Sequence, residues 1–349
     1  MIIFIAPVFY IFLTTYFMTH SRNFPYLCNM KLTTSFRLLI TEVKDFIRED
    51  FNLWAYLYAA VYVASLVFFA YGLHGYERFI SPIYAEGTGW WKFPLIYNAV
   101  YFGVAIPNLL IRHDWERLRN PHFYIKAFFF VSLMSAAIGY TQYRDWFNAI
   151  HFDCALDRRF LRYAWVFVDG IFLVVLPLTI YKYLFDRKID GIYGLCRRTE
   201  HLEVYLLALL CLLPFVIAAS FLPDFQAYYP RFRPDIYEGA LGWPLWAITT
   251  LFETCYGLDF ITTEVFFRGA MVIGMAAILG PRSVLPMCIF YCTVHFGKPM
   301  LESCSAIFGG YLLGILAYKT KHIWGGVCAH LGIAFMMEIM GLIHLFTQL

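Results

Sequence analysis

Apolar and polar positions alternate along this chain in long blocks. Runs of about twenty mostly apolar residues recur near 2–19, 54–74, 93–112, 124–140, 161–184, 201–222, 242–258, 260–280, 283–297, 301–318 and 322–346, separated by short charged loops. About twenty such residues in a helix cross a bilayer, because a helix satisfies its backbone polar groups internally. The pattern therefore predicts an all-α, polytopic transmembrane helical bundle with roughly ten membrane helices. The runs 242–258 and 283–297 are short, so one of them is expected to be re-entrant or interfacial. Residues 34–52 differ: Phe36, Leu38, Leu39, Val43, Phe46 and Ile47 recur at helical spacing among Lys44, Asp45, Arg48, Glu49 and Asp50. That spacing predicts an amphipathic helix lying on the membrane surface.

Composition supports the bilayer as solvent. Of 349 residues, 61% are hydrophobic and 15% charged, against about 25% charged in soluble domains. Trp54, Trp90, Trp91, Trp165, Trp243 and Trp324 fall near segment ends, where headgroups suit amphipathic rings. The first run has neither a basic leader nor an Ala-x-Ala-like cleavage site, so it is expected to be a membrane helix. The loop after that run carries five Lys and Arg and the loop near 184–200 carries four, against two near 74–92. The bias places the first two on the cytoplasmic side. The net charge is +3 and the basic residues are scattered, which gives no nucleic-acid footprint. The nine cysteines form no Cys-x-x-Cys pair and are expected to be packing residues. Cys288, Cys292 and His295 could share a helix face, so a metal site is conceivable there, though the run is otherwise apolar.

Chemistry concentrates at the C-terminal end. Residues 1–240 are apolar spans joined by charged loops, whereas 241–349 carry ionisable groups within the spans. Glu264 and Arg268 are four apart, on one helix face. His295 and His330 end or interrupt apolar runs. Glu338 follows His330 by eight residues, near the same face but turned by about 80°. A charged group at the centre of a membrane helix costs roughly 2.5–3.5 kcal/mol. Glu264, Arg268 and Glu338 together then cost about 8–10 kcal/mol, comparable with the whole net stability of a domain. Such groups are expected to face one another or a wet cavity. Singly, each reads equally well as a structural strut; together, on successive helices, they read as a catalytic constellation.

Over about residues 255–345 the chain resembles the CPBP family (CAAX protease and bacteriocin-processing enzymes, also called Abi proteins). That family is marked by Glu-Glu-x-x-x-Arg, then Phe-x-x-x-His, then His-x-x-x-Asn or Asp. Glu264 and Arg268, with Phe266, Phe267 and Gly269, match the second half of the first motif; His295 and His330 take the histidines of the others. Thr263 stands where the first Glu, the water-activating one in relatives, is expected. Tyr291 replaces the Phe, and Ala334 the Asn or Asp. Glu338, one turn beyond Ala334, is a candidate for the lost polar group.

The resemblance implies an intramembrane endopeptidase that cleaves a membrane protein or a lipid-modified peptide. Glu264 would act as general base with His295 sharing the water, His330 would donate to the oxyanion, and Arg268 would hold Glu264. It implies no cofactor. Zinc is the alternative, since Glu and two His also suit it, but the His-Glu-x-x-His spacing of a zinc protease helix is absent. Two further readings stay open. Thr263 and Ala334 favour a catalytically silent member that binds membrane peptides. Glu and His chains also relay protons in transporters, but a transporter would show a symmetric partner of 241–349 in the first half, and the sequence shows none.

Overall fold

The computed structural model describes residues 32–347, with side chains from Ser35 onward; the run expected at 2–19 lies outside them. The described residues form helices throughout and no β-strand, only two isolated bridges. Eight helices are long and apolar enough to cross a membrane. The chain is thus an integral, multi-pass membrane protein built as a helical bundle.

The amphipathic segment forms α1 (Leu32–Asp50). Its apolar face is partly covered: Leu38 and Leu39 pack against Val204, Tyr205 and Leu313, Phe46 is fully buried between the rings of Tyr311 and Tyr318, and Phe36 and Ile47 stay exposed. Its last residue, Asp50, is 1% exposed and accepts a 2.8 Å hydrogen bond from Tyr56. Arg112 also reaches Asp50, at 3.4 Å. Burial dominates and raises the Asp50 carboxyl above the usual range despite this cation. The surface helix is therefore tied to the bundle at its C-terminal end.

The spans α2 (Leu53–Val67), α3 (Lys92–Ile111), α4 (Pro121–Gly139), α5 (Ala155–Gly170), α6 (Leu176–Phe185) and α7 (Leu202–Ala219) follow the predicted runs. A π-helical segment, Ile171–Val175, joins α5 to α6 into one crossing.

The largest departure from expectation comes next. The runs 242–258 and 260–280 are one continuous rod: α8 (Leu245–Glu264), a π-helical stretch Val265–Gly274, and α9 (Met275–Leu279). Gly257 and Asp259 stand at the junction of the two runs, but the helix continues through both. At 1.5 Å per residue the rod is roughly 50 Å long, longer than the ~30 Å hydrocarbon layer. Every residue of its π-helical stretch is buried, Arg268 included. Next comes α10 (Val284–Thr293), ten residues and also wholly buried. At roughly 15 Å it cannot cross the layer, which settles the short run 283–297 as an internal, non-spanning helix. The long pair α11 (Met300–Thr320) and α12 (Trp324–Thr347) completes the fold. The rod packs against α5, α11 and α12, and α10 lies between α3 and α11. Close approach of α10 and α11 depends on Gly310, where a side chain would strike the Tyr291 ring.

Candidate functional site

The polar residues of the C-terminal third meet where the rod, α10 and α12 face one another. Glu264 ends α8 and Arg268 follows one turn later in the π-helical stretch; they are 0% and 1% exposed. Arg268 Nη1 lies 2.8 Å from Glu264 Oε1. Two charges sealed in a bundle persist only when paired. The guanidinium also sits over the Tyr291 ring, 4.4 Å from its centroid.

His330 of α12 closes on the same carboxylate. Its Nδ1 is 3.1 Å from Glu264 Oε1, and its Nε2 is 3.2 Å from the Tyr291 hydroxyl. A carboxylate can only accept, so Nδ1 carries the proton. In the neutral ring Nε2 is then a lone pair, and Tyr291 donates to it. The order of donation is Tyr291 to His330 to Glu264. The second carboxylate oxygen, Oε2, has no hydrogen-bond partner among the described residues and faces Gly326, one turn before His330. A side chain at 326 would overlap Oε2, so this glycine is what lets α12 close on the carboxylate.

His295 follows α10 by two residues, in the turn toward α11. Its Nδ1 donates to the Tyr291 carbonyl at 2.9 Å, and its ring meets the Tyr291 ring edge-on at 4.5 Å. That bond leaves Nε2 as a lone pair, and no hydrogen bond occupies it among the described residues. The turn is held from below: Ser303 Oγ donates to the His295 carbonyl at 2.7 Å, and the Tyr71 hydroxyl donates to the Lys298 carbonyl at 2.9 Å. Lys298 Nζ bonds Glu302 at 2.8 Å, and the Tyr229 hydroxyl bonds the other Glu302 oxygen at 3.0 Å. The Lys298 side chain is 32% and that of His330 15% accessible, whereas Glu264 and Arg268 are sealed.

Of the sequence candidates, Glu264, Arg268 and His330 are in direct contact, and His295 joins them through Tyr291. Glu338 does not join. It is fully buried, but both its oxygens accept from Arg231 N–H, at 2.8 and 3.0 Å, and Oε2 also accepts from Phe232 N–H at 3.3 Å. The 80° turn from His330 aims it at the loop before α8, where it satisfies backbone donors. Ala334 is buried beside it in the apolar core. Thr263 is partly exposed, in contrast to its neighbour Glu264. Among the described residues no three His, Cys, Asp or Glu side chains gather as a metal shell requires.

Sequence reasoning passed over Tyr291, the residue that touches Arg268, His295 and His330 at once. The signal was its hydroxyl in a position where the motif has Phe. It also missed Glu253 of α8, which is 2% exposed with neither carboxylate oxygen hydrogen-bonded among the described residues.

Fold and site together define a polytopic membrane protein with a buried Glu–Arg–His constellation on successive helices. Residues 240–336 match the family model described as Type II CAAX prenyl endopeptidase Rce1-like. That match, over a little more than a quarter of the chain, supports assignment to the CAAX-protease (Abi, CPBP) family and an intramembrane proteolytic role in general terms. Neither the curated proteins nor the solved structures include a match to it.

Proposed function

We propose that the chain is an intramembrane endopeptidase that hydrolyses a peptide bond of a membrane protein or lipid-modified peptide with a histidine-activated water. The observation that carries this reading is His295 held through Nδ1 on the Tyr291 carbonyl, which leaves Nε2 the lone pair, beside the Glu264–His330–Tyr291 chain. His295 is held by its Nδ1–H and offers a lone pair to water, the arrangement of a general base. Water attacks the carbonyl carbon while its proton passes to Nε2. Charge gathers on the carbonyl oxygen and is met by hydrogen-bond donors at the His330–Tyr291 end. On collapse the C–N bond breaks, the departing amine takes the proton from His295, and the other product keeps the new carboxylate.

Glu264 enters differently from the sequence expectation. It is sealed from the accessible space, with Oε1 shared between Arg268 and His330. In this reading it orients His330 and fixes its tautomer, and Arg268 holds the carboxylate in place. The absence of a carboxylate at Thr263 leaves His295 as the base. The Glu338 carboxylate, spent on backbone donors, is assigned a structural part. No step calls for a cofactor.

Replacing His295 with Ala should lower cleavage of a lipid-tailed reporter peptide by about 10²–10⁴-fold, the usual worth of a general base, with the fold unchanged. Undiminished cleavage by that variant would sink the assignment. The rival reading, a silent peptide-binding member, draws on Thr263 and Ala334; it requires the wild type to bind the reporter and leave it intact.

A further inference from the structure

Hydrolysis needs a donor for the oxyanion, and the expected ones are missing or engaged. Ala334 offers a methyl where the family pattern has an amide or carboxyl. His330 has a single N–H when neutral, and Glu264 holds it. A donor that remains is the Tyr291 hydroxyl. It rests on His330 Nε2 at 3.2 Å, its ring packs edge-on to His295 at 4.5 Å, and the Arg268 guanidinium lies over its face. A cation over the ring withdraws charge from the phenol and strengthens its O–H as a donor. Tyr291 therefore links the base to the buried carboxylate, its ring against His295 and its hydroxyl on His330, in a position where the family pattern carries no hydroxyl at all.

We propose that Tyr291 is a catalytic residue: its hydroxyl is the oxyanion donor, moved from α12 to α10 as the amide was lost at Ala334. The proposal rests on the hydrolytic reading above. As the water oxygen bonds the carbonyl carbon, the π pair moves onto the carbonyl oxygen, and the water proton goes to His295 Nε2. The Tyr291 O–H turns about its C–O bond from His330 to the oxyanion and keeps its proton. When the tetrahedral intermediate collapses and the amine leaves with the proton from His295, the hydroxyl returns to His330 Nε2. Gly310 gives the ring its seat, and the His330–Glu264 pair supplies the resting place of the hydroxyl between turnovers.

The test uses four purified full-length proteins in lipid nanodiscs, with a lipid-tailed reporter peptide: wild type, Tyr291→Phe, Ala334→Asn and the double variant. Tyr291→Phe should lower kcat by about 10²-fold, the worth of one oxyanion donor, with little change in KM. Adding Ala334→Asn to it should restore at least a tenth of the wild-type rate, because an amide on α12 supplies the donor again. Rescue separates this role from packing, since an asparagine on another helix does not refill a space left by a lost hydroxyl. Full-rate cleavage by Tyr291→Phe overturns the proposal and leaves the hydrolytic reading standing. A loss that Ala334→Asn does not relieve also overturns it, reducing Tyr291 to a positioning residue. Wild type inert toward the reporter removes the hydrolytic reading, and this proposal with it.

Discussion

Thr263 and Glu264 are adjacent in sequence and opposite in environment. Glu264 turns into the bundle and is sealed; Thr263 is partly exposed. The chain has kept the carboxylate that holds the histidine and lost the one that the resemblance assigns to the water. Restoring it should help. Thr263→Glu is expected to raise the cleavage rate about tenfold, a modest share of what a positioned acid–base group supplies, measured on the same reporter as wild type. A rate lowered by this change would mean that residue 263 does not face the reacting water. Part of this arrangement is legible in the sequence. Four-residue spacing puts Glu264 and Arg268 on one face, and they pair at 2.8 Å. The His330 contact is tertiary, and only the motif order hinted at it. Glu338 shows the limit of spacing arguments. Its face follows from its distance to His330, but what packs on that face, the loop at Arg231 and Phe232, does not.

At the scale of elements, boundaries between runs were less legible than the runs themselves. Hydropathy dips near 259, where Asp259 lies, suggested two spans; the structure carries one rod through it. A single acidic residue lowers mean hydropathy without breaking a helix, and an isolated glycine such as Gly257 is tolerated inside one. The turn into α12 has its own pH dependence. His322 precedes α12 and is fully buried, with Nε2 bonded to the Glu200 carbonyl at 2.7 Å and Nδ1 without a partner among the described residues. Burial, aided by His201 and Arg198, outweighs Glu200 and lowers the His322 pKa. The folded protein thus prefers the neutral ring, and unfolding takes up a proton. Stability from this group is present above the ordinary histidine value of about 6.5 and is lost as the pH falls through the lower folded value. The thermal midpoint in detergent should fall between pH 7 and pH 5, and His322→Asn, which can still donate to Glu200, should flatten that fall. An identical pH profile in the variant would assign the dependence to other groups.

For the whole molecule, the bundle buries its Glu–Arg–His chemistry in an apolar core and also leaves large apolar residues on its surface. Phe215, Phe221, Leu57, Val61, Ile125 and Phe308 are exposed, which only lipid makes tolerable. Composition foretold this plainly. It could not foretell which exposed positions meet lipid and which meet water. Cys211 and Cys154 are both exposed, but Cys211 lies within α7 and Cys154 in the loop before α5. A membrane-impermeant maleimide applied to permeabilised vesicles should label Cys154 and spare Cys211. Equal labelling rates would place α7 against water and contradict the span assignment.

Glu264, Arg268, His295 and His330 thus lie among membrane helices, and hydrolysis there, as proposed, is the central claim. It is tested most directly by incubating the purified protein with a lipid-tailed peptide in ¹⁸O-labelled water and weighing the products. The expected result is one new C-terminal carboxylate carrying a single labelled oxygen, formed by wild type and absent with His295→Ala. Intact peptide from a folded wild-type protein that binds it would contradict the claim and leave a membrane-peptide binder in its place.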